Sequence, residues 1–337
     1  MKGILIACVL IVLAGCSEDR PEFQNFLDWE IQSQAEREIS SLGNPVEILN
    51  FSDFDIYSPG TLEQNNTHLF LINFGSYSII NLPKNNFERP EIISFGEGSG
   101  PGELQSLQSL AVGEQRLYSG DPRQRRIVVT DMDGTHIRDI EARFSPDNLV
   151  FADRGLLLNY NTHQQDNLFT FYDIADDSVR GFEGIDFGFN DMMKYPGYIS
   201  IDESSIYFAG YSEPMLRKYS RDGELQFSKS TVDNFDTSNQ YEERTMGDNR
   251  IVTFSDDALF SSMDLSQKGG YLYVIPYHNN NKDHKFIDVY NSEDGRYMKS
   301  YSLKYYPRKI TTDDDFIYLL AQDGEDNLLV KYQYPDE

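Results

Sequence analysis

The chain is poor in the groups that carry most covalent chemistry. Of its 337 residues two are cysteine, five are histidine and one is tryptophan. No H-E-x-x-H, G-x-S-x-G or Gly-Lys-Ser/Thr signature occurs, so the commonest zinc-hydrolase, serine-hydrolase and nucleotide-cradle patterns are absent. Cations are scarce as well: 29 Lys and Arg face 55 Asp and Glu, a formal charge of −26. Such a surface repels phosphate backbones, which argues against nucleic acid as a partner. Long apolar runs are missing too. The longest, residues 3–15, is 13 residues, short of the roughly 20 that a membrane-crossing helix needs. What the chain does have is 39% hydrophobic content and 22 each of Tyr and Phe, enough to bury a core and suited to half-buried strands.

Those aromatics fall into a repeat. After about residue 46, short runs of aromatic and β-branched residues alternate with turn residues, the pattern of an all-β fold. One segment type recurs six times, at residues 68–74, 116–121, 155–160, 205–211, 271–277 and 316–322. Each copy is apolar almost throughout, as for a strand covered on both faces. A second strand and an acidic or Asn turn follow, including Asp133-Gly134, Asp222-Gly223 and Asp294-Gly295, the dipeptide that a type I′ hairpin turn favours. The central residues Phe70, Tyr118, Leu157, Tyr207, Tyr273 and Tyr318 are 48, 39, 50, 66 and 45 apart. Units of this length with four strands each predict a six-bladed β-propeller over residues 46–337. The sixth unit lacks an outer strand. Residues 46–51 form a surplus one upstream, expected to pair near residues 328–334 and close the ring.

The first 45 residues read differently. Met1-Lys2 and the apolar run form a signal-peptide pattern over residues 1–15. It ends in Leu13-Ala14-Gly15-Cys16, which resembles the lipobox of bacterial lipoproteins and implies lipid attachment at Cys16. Cys8 would then be removed and Cys16 acylated, leaving no pair for a disulfide. The acidic Ser17-Glu18-Asp19 resembles the surface-export signal of Bacteroidetes lipoproteins. Residues 16–45 are expected to be a lipidated spacer, helical in part between Pro21 and Ser40, and deleting residues 17–40 is expected to cost little stability.

Between the first two units, residues 95–104 read F-G-E-G-S-G-P-G-E-L, followed by L-Y-S-G-D and R-I-V-V-T-D-M-D-G. This stretch is similar to the six-bladed, TolB-like and NHL-like propeller lipoproteins of Bacteroidetes. The resemblance implies an envelope location and a binding or scaffolding role. The glycine run itself lacks a following helix that could face a phosphate, and is expected to be a tight turn between blades.

Function is less legible. Loops between second and third strands share one propeller face with the inter-blade linkers, and here they are long: residues 161–167, 184–196, 210–214, 231–257 and 278–284. Elaboration on one face marks it as the recognition face. The candidate partner-binding residues are Tyr241 and Arg244 in the longest linker, His278 and His284 flanking a hydrophilic loop, and Arg123 in the basic group Arg123, Arg125 and Arg126. Balance against Asp121, Asp131 and Asp133 is the alternative for those arginines. No catalytic residue, metal ligand or cofactor is nominated. The expectation is an envelope module that binds a protein, peptide or glycan and meets the membrane through its lipid. The alternative is a propeller enzyme acting on carbohydrate or peptide. Three convergent His or acid side chains in the central channel would favour the enzyme, and an aromatic, uncharged mouth would favour binding.

Overall fold

The structure is a computed structural model that describes residues 27–32, 36–142, 148–153, 155–159, 167–184, 192–246, 249–277 and 285–335. The signal segment, Cys16, His278 and His284 lie outside the described residues.

Six four-stranded antiparallel blades form a ring. Blade 1 spans residues 59–94, blade 2 residues 109–141, blade 3 residues 148–184, blade 4 residues 197–230 and blade 5 residues 262–302; blade 6 covers residues 306–333 and takes its outer strand from Glu47–Asn50. The recurrent apolar segments are the second strand of every blade, and in Gly155–Asn159 and Ser205–Gly210 every residue is buried. Their central residues fill the contacts between blades. Six hydrophobic clusters result, one for each neighbouring pair of blades, including the pair formed by blades 6 and 1. Glu47–Asn50 pairs antiparallel with Leu328–Lys331, and this closes the ring.

The turns repeat as well. Asp202 accepts hydrogen bonds from the Ser204 and Ser205 amides and from the Tyr207 hydroxyl at 2.9 Å. Asp313 does the same with the Asp315 and Phe316 amides and Tyr318, again at 2.9 Å, and adds an ion pair to Lys84. The acidic run 313–315 is therefore a turn cap. The Asp-Gly turns hold Gly134, Gly223 and Gly295 at φ +86°, +90° and +71°, the left-handed region in which glycine carries no Cβ penalty.

Of the residues between Pro21 and Ser40 expected to be helical in part, 27–32 and 36–40 are described, and no helix lies among them. Glu30 bridges Lys229 on the outer edge of blade 4, and Ile39–Ser41 lies parallel to Tyr297–Ser302 on the outer edge of blade 5. With Glu47–Asn50 these segments make a strap across three consecutive blade edges. Leu27 and Trp29 pack on the core between blades 3 and 4. The Asp28 carbonyl accepts from Ser228 Oγ and from the wholly buried Arg217. Gln32 donates to the Ser230 and Gly295 carbonyls and accepts from the Tyr297 amide. An exposed sheet edge offers a row of unpaired amides and carbonyls, and here the chain covers three such edges with its own N-terminal segment.

Candidate functional site

The innermost strand of each blade faces the central channel. In blades 2, 3 and 4 this strand pairs with its neighbour in unbroken register. In the three consecutive blades 5, 6 and 1 it does not. Register slips between Ser262 and Asp264, between Pro307 and Lys309, and between Gly60 and Glu63. A bulge places an extra residue in one strand and re-aims the side chain that follows. The three residues that end the slips, Asp264, Lys309 and Glu63, all line one cavity of about 210 Å³ in the channel. Thr61, inside the third bulge, sits at φ +52°, a strained conformation for a β-branched residue.

Two of the three charges satisfy each other. Lys309 Nζ lies 3.6 Å from Asp264 Oδ1 and 4.5 Å from the centre of the Tyr198 ring. Asp264 Oδ2 accepts from the Ile310 amide at 2.8 Å. Burial pushes the Asp264 carboxyl above its ordinary range, with Lys309 and the Ile310 amide opposing the shift. Glu63 is different. No donor among the described residues reaches its carboxylate. Burial, and then the Asp264 charge, raise its pKa to about 8 against the opposing pull of Lys309. The lower end of the cavity is laced across blades: Ser266 Oγ meets Thr312 Oγ1 at 2.8 Å, Gln64 donates to the Thr312 carbonyl at 2.7 Å, and the Gln267 amide donates to Ser200 Oγ at 3.0 Å.

At the loop-rich end, Tyr198 in the cavity wall begins a set of aromatic rings. Tyr198 contacts Tyr211 at 6.5 Å between ring centres, and Tyr211 contacts Phe260 at 4.8 Å and Tyr277 at 6.1 Å. Phe254 adds to the set 4.8 Å from Phe260. All five rings are half-buried, and Leu259 beside them is 42% exposed. Desolvation by this packing lifts the Tyr211 hydroxyl to about 12. Phe254 belongs to a hairpin of Tyr241–Met246 and Asn249–Phe254 that folds within the long linker of residues 231–257.

The residues singled out from sequence have separate fates. Tyr241 anchors that hairpin: its hydroxyl is 2.8 Å from Glu213 Oε1 and 2.9 Å from Ser212 Oγ, and its ring stacks 5.5 Å from Phe254. Arg244 is exposed further along the same strand and pairs with Glu242 and Asp256. Arg123 is exposed on blade 2, on the same face but with blade 3 intervening, so it does not join them. Arg126 is spent on Asp139 and the Gly100 and Glu103 carbonyls. Asp121, the expected partner of those arginines, instead accepts from the Gln105 amide, Ser106 and Gln124. The glycine run is a turn folded over Glu103, which accepts from the Gly100 amide at 2.7 Å; a Cβ at Gly98 would lie 2.1 Å from the same carboxylate. Glu63, Asp264 and Lys309 were not found from sequence. The available signals are Pro59-Gly60 and Pro307, residues that mark bulges when they fall inside strands.

No family model matches the chain, and no curated protein matches it significantly. Solved structures do match as folds. A member of the DUF4221 family from Bacteroides vulgatus superposes with a TM-score of 0.56 at 13% identity, covering 83% of this chain and 93% of that one. A protein assigned as exported from Bacteroides fragilis gives 0.53 at 12%, covering 92% and 94%. Virginiamycin B lyase from Staphylococcus aureus gives 0.52 at 12%, covering 86% and 99%. At these identities the likeness is one of fold, and the fold hosts both binding proteins and enzymes.

Proposed function

We propose that this protein is a lipid-anchored binding module of the cell envelope, held by Cys16 and recognising a protein, peptide or glycan partner with its loop-rich face. The observation that carries the reading is the half-buried aromatic mouth of Tyr198, Tyr211, Phe254, Phe260 and Tyr277. Binding energy concentrates in aromatic anchors that are already rigid and partly desolvated. The lipobox-like Leu13-Ala14-Gly15-Cys16 and the propeller architecture shared with an exported Bacteroides protein support the location. The enzyme reading calls for three convergent acids or histidines. The described residues bring two acids to the channel, and one of them is occupied by Lys309 and a backbone amide.

A pull-down from envelope extract tests the reading. Tyr211→Ala combined with Phe260→Ala should lose at least tenfold of the captured partner while thermal unfolding stays cooperative. Equal capture by the folded double variant would place recognition elsewhere.

A further inference from the structure

The channel wall holds one carboxylate with nothing to accept from. Glu63 is unpartnered among the described residues and lines the cavity, whereas the neighbouring Gln64 Oε1 and Thr61 Oγ1 also lack hydrogen-bond partners but are closed off by burial. The cavity's charges are Glu63, Asp264 and Lys309, with Tyr198 as the remaining titratable group in its wall. Lys309 and Asp264 neutralise each other, so ionised Glu63 leaves one negative charge uncompensated in a confined space.

A ligand that completes this site brings donors and one positive charge. A divalent cation is a poor match. It would seek several oxygen ligands, whereas one carboxylate is free here. An anion finds no free cation among the described residues of the wall, because Lys309 is paired with Asp264. A primary ammonium group supplies three donors and a single charge, and its approach over the rings of the mouth is favoured by their negative faces. The bulges strengthen the case. Three consecutive blades break register to aim Glu63, Lys309 and Asp264 at one point, and Thr61 holds a strained φ to do so. Such strain persists where the surrounding structure enforces it, and it clusters at functional positions.

We propose that the central channel is a receptor for a primary ammonium group on a slender alkyl stem, seated against Glu63 beneath the aromatic mouth. The assignment rests on the reading of the loop-rich face as the recognition face, and it narrows that partner to one presenting a lysine side chain or a small alkylamine.

Titration calorimetry of the full chain with n-butylamine, and separately with N-acetyl-lysine methylamide, tests it. Because Glu63 is largely protonated below pH 8, seating an ammonium releases close to one proton at pH 7. Affinity should rise by about tenfold per pH unit below that value. The proton count is read from the heat in buffers of different ionisation enthalpy. Glu63→Gln should weaken binding at least tenfold and abolish the release. Binding of butylamine alone assigns a free amine, and binding of the lysine derivative assigns a peptide partner. Binding of either probe without proton release, equal binding by Glu63→Gln, or binding of calcium or glucose but neither amine, would overturn the proposal. Loss of partner capture by the Tyr211 and Phe260 variant, alongside no amine binding, would sink the ammonium site and leave the binding-module reading intact.

Discussion

Glu63 is half-buried in the channel wall and Asp288 is fully buried under the strap, and their surroundings treat the two carboxylates in opposite ways. Asp288 is gripped by Arg37 through two bonds of 3.0 Å and accepts from Ser300 Oγ at 2.5 Å. Burial raises its pKa, and Arg37 and Ser300 draw it back. Glu63 has no such partner and its pKa rises to about 8. The sign of the consequence is definite. With a folded pKa above the ordinary 4.5, the native state keeps a proton that the unfolded chain has released, so stability falls as pH rises from about 4.5 to 8. Ionised Glu63 then costs on the order of a few kcal/mol. Glu63→Gln should match the wild type in urea denaturation at pH 5 and exceed it at pH 8.5 by that amount. An offset that is the same at both pH values would remove Glu63 as the source.

The strap and the closing strand make different contributions to the ring. Arg37→Ala would strand the Asp288 carboxylate in the core between strap and blade 5, and breaking a buried pair on one side costs about 3 kcal/mol. Hydrogen exchange at residues 300–302 should accelerate with it. Deleting residues 46–51 exposes the Leu328–Lys331 edge itself, so unfolding should lose cooperativity and aggregation should increase. Unchanged thermal unfolding after that deletion would contradict closure through this strand. The closing strand was legible in the sequence because residues 46–51 are a surplus strand ahead of the first unit and the sixth unit lacks an outer strand. The second strands were legible because burial on both faces forces an unbroken apolar run. The strap was not. Its anchors are Gln32 and Arg37, polar residues whose partners lie about 200 or more positions away, and only the assembled edge gives them a role. Bulges escape for the same reason. A slip between Ser262 and Asp264 is a property of two paired strands, and one strand read alone keeps its alternation. The long linker was recognised as the place to look, yet Tyr241 is turned inward to hold the hairpin, and Phe254 and Phe260 face the mouth instead.

The ring as a whole has two unlike faces. One carries tight Asp-Gly turns with exposed acids such as Asp133; the other carries the aromatic mouth, the hairpin and the opening of the channel. A strongly acidic surface is repelled by anionic lipid, so the membrane attachment proposed above would fall to acyl chains at Cys16. Cys16→Ser should leave the membrane fraction, since the acyl chains alone supply stable anchoring; full retention after a high-salt wash would refute the anchor. Residues 27–32 lie on the edge of blade 4. The face-specific account is tested most directly by photo-crosslinking in intact cells, with p-benzoylphenylalanine replacing Phe260 on the loop-rich face or Asp133 on the opposite one. A discrete adduct from position 260 and none from position 133 is the predicted result. An adduct from position 133, with position 260 silent, would contradict it.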